Sequence, residues 1–188
     1  EGHGHGVREN SSAILAELYN NASLKQHMSA RIEANPKDFQ AHLQMGIVLF
    51  KEEAFDEAKV YLETAYAMLP EYTGYPSPPL VLAQIYEKEG NEAARLEQLS
   101  LLLDNQQHDY SSAITLAEAA FASGNFDRAD YFIDRAIQVD PYRREVHELR
   151  ARLASLQNDT ALAVLENEVI VTLEVDDPVV GAVALRHE

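Results

Sequence analysis

Cysteine is absent from the 188 residues. Its absence removes disulfides, thiolate metal sites, cysteine nucleophiles and c-type haem attachment. It leaves the compartment open, because many exported chains also lack cysteine. No apolar run approaches the roughly 20 residues that span a bilayer, so no membrane insertion is expected. Basic residues are few: 15 Lys and Arg stand against 31 Asp and Glu, a formal net charge of −16. An acidic surface repels phosphate backbones and anionic lipid, which argues against nucleic acid as a partner. Catalytic signatures are missing too. There is no Gly-x-Ser-x-Gly elbow and no phosphate-binding glycine loop. His147-Glu148-x-x-Ala151 begins like a zinc-protease helix but lacks the second histidine. His27, His42 and His108 are isolated, and acidic pairs such as Glu52-Glu53 read as solvated charge. No enzymatic activity and no cofactor are expected.

What is present is a period. Phe39 to Pro70 reads as two antiparallel helices closed by proline, which has no N–H to continue a helix. The first helix carries Met45, Gly46 and Leu49, and the second Ala58, Leu62 and Ala65. Pro36 and Pro70 lie 34 residues apart. Leu82, Ala83 and Gly90 recur as Leu116, Ala117 and Gly124, each 34 residues later. Met45 to Leu82 is 37, which places a three-residue insertion in EYTGYPSPP, Glu71–Pro79. Its prolines and glycine forbid a helix there. The stretch from Ser111 to Pro141 keeps the pattern best, with Leu116, Ala117, Gly124, Ala129, Ile133, Ala136 and Pro141. A fourth unit begins at Arg144, where Arg150 replaces the large apolar residue while Ala151, Ala154 and Ala163 keep the small ones. The small residues belong where two helices of a pair cross closely.

This order of small and large residues resembles the tetratricopeptide repeat (TPR), a helix–turn–helix unit of about 34 residues. The resemblance covers about residues 36–175, in two strong and two weaker repeats. It implies an all-α, right-handed solenoid in which units stack because none buries its apolar face alone. Residues 1–10 (EGHGHGVREN) read as a His/Gly tail. Residues 11–35 read as a pair of short helices, over Ser11–Asn20 and Ser23–Ala34, forming a degenerate N-terminal cap. Residues 36–178 form the array of about four repeats. Residues 179–188 read as an apolar tail. VIVTLEV (Val169–Val175) fits a long last helix or an extended tail.

In the family, the first helix of each pair lines a concave groove. Here that implies a partner-binding groove at Leu43, Ile47, Phe50, Leu80, Val81, Gln84, Ile114 and Phe121, apolar in three repeats. The fourth offers Glu145, Glu148, Arg152 and Leu156 and is charged. The lysine- and asparagine-rich clamp of co-chaperone members does not match, since Leu43, Ile47, Leu80 and Gln84 stand in its place. The first helix is apolar all round, which means cover on every side. Either the N-terminal segment of the same chain or a partner's helix or strand supplies it. The implied function is a scaffold or assembly subunit that binds another polypeptide. The alternative is a self-assembling filament or ring subunit, a homo-oligomer joined head to tail through the apolar C-terminus.

Two terminal features point elsewhere. Glu1-Gly2-His3 at a free terminus would offer an amine, two amides and an imidazole, a square-planar set for Cu(II) or Ni(II), with His5 as a further ligand. The other reading is a tail with no role. The chain opens on Glu1 rather than Met, which fits a removed leader or a numbering that starts downstream. Sequons occur at Asn10, Asn21 and Asn158, the last two expected in turns between helices. They suit an exported, periplasmic or extracellular chain, the alternative being the cytoplasm.

Overall fold

A computed structural model of the chain describes the backbone of residues 5–105 and 108–175, with side chains over 16–17, 19–105 and 108–174. Among these residues every regular element is helical. They are α1 (His5–Ala34), α2 (Phe39–Lys51), α3 (Phe55–Met68), α4 (Pro78–Lys88), α5 (Glu92–Asn105), α6 (Tyr110–Ala122), α7 (Phe126–Val139), α8 (Arg144–Leu156) and α9 (Thr160–Val175). The expected fold class is therefore observed.

The repeat is written in the turns. α2, α4, α6 and α8 each end on a residue with positive φ: Glu53, Gly90, Gly124 and Asn158. At each, the N–H of that residue bonds the carbonyl three back and the next N–H bonds the carbonyl five back, for example Gly124 to Phe121 and Asn125 to Ala120. This is the Schellman arrangement, which satisfies carbonyls that a helix end leaves unpaired. Glycine adopts that backbone without strain, while Asn158 and Glu53 carry a side chain there.

Two compact units divide the chain, residues 1–98 and 99–188. In the first, α2 and α3 pair through Gly46, Ala58 and Leu62. A Cβ on Gly46 would fall 2.6 Å from Leu62 Cγ and 3.4 Å from the Ala58 carbonyl oxygen, so only glycine fits this crossing without displacement. Ala58, Leu62 and Ala65 are fully buried. Asp38 caps α2, accepting from the Ala41 N–H at 3.0 Å and from the Arg31 guanidinium through two 2.9 Å bonds. Those contacts hold its carboxyl below the usual range, the Ala41 bond most strongly. Lys59 joins α3 to the end of α4 through Glu89 at 2.7 Å. Helix α4 starts on Pro78, so the last two residues of the predicted non-helical insertion form its first turn, where proline is well placed.

In the second unit, α6 and α7 cross on Ala113, Ala117, Ala129, Ile133 and Ala136, all buried. Asp109 and Asn125 cap the two helices through the N–H groups of Ser112 and Arg128. α8 and α9 pack through Val146, Leu153, Ala154, Ala163 and Ile170. Arg150, the sequence's departure from the pattern, reaches Asp134 and Asp130 of α7.

The N-terminal expectation is corrected. From His5 on, the predicted tail and the pair of short helices over 11–35 give way to one 30-residue helix, His5–Ala34, while residues 1–4 lie outside the described residues. No glycine or proline occurs between Val7 and Ala34 to oblige a turn. Its C-terminal part packs on α2, with Met28 buried and Lys25 bonded to Glu52 at 2.5 Å. Val169–Val175 is the end of helix α9, not an extended tail. The tail at 179–188 lies outside the described residues.

Candidate partner-binding faces

The sequence places eight residues in one groove, and the structure treats them differently. In the first unit, Leu43 and Val81 are 3 % exposed. They belong to a core cluster that draws Met28 from α1, Leu62 from α3 and Leu82 and Ile85 from α4. Ile47 and Phe50 are half-buried against the same cluster. Phe50 meets Phe55 with ring centroids 6.1 Å apart. Leu80 is half-buried and Gln84 is exposed. The all-apolar first helix is thus covered by its own unit, and the apolar character of α2 reflects core rather than an open groove.

In the second unit, Ile114 and Phe121 are buried as well. Phe121 is roofed by the Arg152 guanidinium, 4.2 Å from the ring centroid, and met edge-on by Phe126 at 5.7 Å. A cation over an aromatic face is worth about 0.5–2 kcal/mol, more where water is excluded. Toward the other end of α6, the Tyr110 hydroxyl donates to Glu145 at 3.3 Å, and the Arg143 guanidinium lies 5.1 Å from the Tyr110 ring. Burial, then the Glu145 charge, pushes the Tyr110 hydroxyl up to about 12. Contacts at both ends therefore align α6 beside α8. What this face leaves open is Glu118, Arg152 and Leu156, with Leu156 54 % exposed. A residue presented at the surface beside a buried phenyl ring is a better contact than the ring itself. The signal for Arg152 was in the sequence: it stands one repeat on from Glu118, 34 residues later.

A second apolar surface is the outward side of α9. Val164, Leu165 and Val171 are 54, 55 and 58 % exposed. The opposite side of α9 carries a buried polar group. Glu166 lies 2.6 Å from His147 Nδ1, and His147 Nε2 lies 2.7 Å from the Pro141 carbonyl oxygen. A carbonyl only accepts, so Nε2 carries a hydrogen. In the first unit His42 repeats half of this: its Nε2 lies 3.1 Å from the Pro36 carbonyl oxygen, while Nδ1 has no hydrogen-bond partner and the ring centroid lies 5.7 Å from that of Tyr61.

Among the remaining sequence candidates, His3 lies outside the described residues. His5 starts α1, and no group of three metal-ligating side chains occurs among the described residues. Asn10 and Asn21 both lie within α1, so Asn21 is not in the turn expected for it. Asn158 is in a turn and exposed. No described helix is long and apolar enough to cross a membrane.

No protein-family model matches the sequence, and no curated protein matches it. Solved structures do. The chain is similar to the MamA structure described as AMB-1, with TM-score 0.58 and 18 % identity over 90 % of this chain and 97 % of that one. It is similar to MamA of Desulfovibrio magneticus RS-1, residues 41 to the end, with TM-score 0.51 and 14 % identity over 94 % and 98 %. It is also similar to YrrB, described as a TPR protein with an unusual peptide-binding site, with TM-score 0.55 and 14 % identity over 93 % and 89 %. Together with the 34-residue register and the four matching turns, these likenesses show that the chain has the tetratricopeptide-repeat fold.

Proposed function

We propose that this chain is a protein-interaction scaffold whose second unit holds a partner polypeptide on the α6–α8 face. The observation that carries this reading is the Arg152–Phe121 stack beside the exposed Leu156. It is an apolar platform with a charged lid, on the helices that line the groove in this fold. The likeness to YrrB, whose description names a peptide-binding site, supports the same reading. Ile114 and Phe121 would then support the face from beneath, and Glu118, Arg152 and Leu156 would touch the partner. The test is affinity capture with the wild-type chain, Arg152→Glu and Leu156→Ser, each first shown to be folded. A polypeptide held by the wild type and lost by both variants is expected. Equal recovery by all three would refute the assignment.

A second reading, self-association, is favoured by the outward side of α9. Exposed apolar residues at Val164, Leu165 and Val171 suit contact with another chain. Light scattering over a concentration series tests it, and Val171→Lys should lower any associated fraction.

A further inference from the structure

The positive-φ turns fix the register of the helices that follow them. Counted from Glu53, Gly90, Gly124 and Asn158, the ninth position is Leu62, Leu99, Ile133 and Asn167. The first three are buried, Leu62 and Ile133 completely, whereas Asn167 is exposed. The thirteenth position repeats the contrast. Tyr66 and Ile137 are half-buried and Leu103 is buried, while Val171 is 58 % exposed. The seventh position shows no contrast: Val60, Glu97, Tyr131 and Leu165 are all exposed. What sets α9 apart is therefore one side, carrying Val164, Asn167, Glu168 and Val171.

Elsewhere in the chain that side meets the next helix. α4 lies against α3, and α8 against α7. Lys59, at the sixth position of α3's count, bonds Glu89 at 2.7 Å and lies 5.7 Å from the Tyr86 ring. Asp130 and Asp134, at the sixth and tenth positions of α7's count, receive Arg150 of α8. The incoming helix thus brings a charge opposite to the one it meets. At the same two positions α9 holds Val164 and Glu168. Glu168 is exposed and has no ion pair among the described residues. Asn167 donates its Nδ2 to the Ala163 carbonyl at 2.8 Å, which leaves its side-chain oxygen as an acceptor. The open side therefore has acceptors at its centre and a valine one turn away in each direction.

We propose that this side of α9 docks an amphipathic helix of a partner chain, with an arginine set on Glu168 and Asn167 and aliphatic residues set on Val164 and Val171. Charge complementarity carries the choice. A carboxylate beside an amide oxygen offers adjacent acceptors, and a guanidinium presents planar, forked donors that match them. Arg150 on Asp134 and Asp130 is the same contact made inside the chain. A net charge of −16 also draws a basic segment toward the surface. A second copy is a poorer fit, because the same side turned on itself sets Glu168 against Glu168. The inference rests on the reading of α9 as a contact surface, and not on self-association or on the α6–α8 face.

A peptide with the sequence of α8, Arg144–Leu156, is the probe, since α8 lies against the corresponding side of α7. Labelled and titrated with the full chain, it should give a saturable rise in fluorescence anisotropy. Each protein variant is first matched to the wild type by circular dichroism. Arg150→Glu in the peptide, or Glu168→Arg in the protein, should weaken binding about tenfold, the scale of one charge-assisted contact. Combining the two should restore it. Leu165→Gln, at the position exposed in every repeat, should leave it unchanged. No saturable binding, a charge swap that restores nothing, or an equal loss with Leu165→Gln would overturn the proposal. Binding that appears only once residues 176–188 are deleted would assign the side to the chain's own C-terminal segment and overturn it too. A chain that ignores the peptide but whose light-scattering mass falls with Val171→Lys would keep the self-association reading and refute this one.

Discussion

Replacing Glu166 tests how the α8–α9 pair is held. Its carboxylate and the His147 ring are both buried, with side chains 8 and 9 % exposed, and one hydrogen lies between Oε2 and Nδ1. Glu166→Gln keeps the shape. The amide can donate to a neutral Nδ1 while Nε2–H stays on the Pro141 oxygen, so the loss should be about 1 kcal/mol, the net worth of one hydrogen bond. Glu166→Ala leaves Nδ1 unpaired and a void beside it. An unsatisfied buried group costs about 1–3 kcal/mol, and the lost packing adds to it, so roughly 2–4 kcal/mol is expected. His147→Phe keeps the ring volume but strands a buried carboxylate and the Pro141 oxygen. Breaking a buried pair in this way costs about 3–5 kcal/mol. Urea unfolding followed by circular dichroism should therefore rank the variants Gln, Ala, Phe in increasing damage. A Glu166→Gln variant as unstable as Glu166→Ala would refute the hydrogen-bonding scheme.

Other perturbations test the register and the ionisable contacts. Ala129→Leu should lose about 1–3 kcal/mol by overpacking a fully buried crossing, while Asp127→Leu, exposed in the first turn of α7, should lose about 0.3–1 kcal/mol of helix-end charge. Equal denaturation midpoints would contradict the helix-pair register. The Ala41 N–H, and after it the Arg31 guanidinium, hold the Asp38 carboxyl below the ordinary aspartate range, so its contribution is present above that range and lost as pH falls through the folded value. The advantage of the wild type over Asp38→Asn should shrink in acid, and a pH-independent difference would argue against the Arg31 and Ala41 contacts. Tyr110 is raised to about 12 from 10.0, so its stabilising neutral form persists below 10 and is lost as pH rises through the folded value. Ultraviolet titration should show a late tyrosine step that Tyr110→Phe removes.

Much of the fold was legible because its cause is local. A small residue at a crossing, a positive-φ residue at a turn and a proline at a close recur at a fixed interval, and each imposes its geometry on its immediate neighbours. Gly46, Ala58, Gly124, Ala129 and Pro141 could be placed from the sequence for that reason. The unbroken α1 could not, because Asn20-Asn21 permits a turn without requiring one, and a stretch free of glycine and proline can equally run on as helix. The groove is less legible, on other grounds. Apolarity at Leu43, Val81, Ile114 and Phe121 says that these side chains avoid water, but does not say what covers them. In this chain Met28, Leu82 and Ile85 share the core with Leu43 and Val81, and Arg152 covers Phe121. Gln84 was the groove residue left exposed, and the open face of the second unit lies at Glu118, Arg152 and Leu156.

The fourth repeat shows the same architecture held by different chemistry. At the place of Met45, Leu82 and Leu116 it has Arg150, bonded to Asp134 and near Asp130. At the place of Ala113 it has His147, and at that of Phe132 it has Glu166, bonded to each other. These polar residues occupy buried or half-buried ground, so each must find a partner or destabilise the fold. The partners lie on specific neighbouring elements: α7 for Arg150, α9 and the closing proline for His147. An apolar contact tolerates a slide of one helix along another, but a buried hydrogen bond between two ring nitrogens and two fixed acceptors does not. The His147 contacts therefore fix the axial position of α8 against α9 and Pro141. The same α8 carries Arg152 to the Phe121 ring, so the polar core of the last repeat sets where the charged lid of the candidate binding face sits. A conservative test follows: Glu166→Gln should preserve partner capture through Arg152, whereas Glu166→Ala should weaken it even under conditions where the chain remains folded.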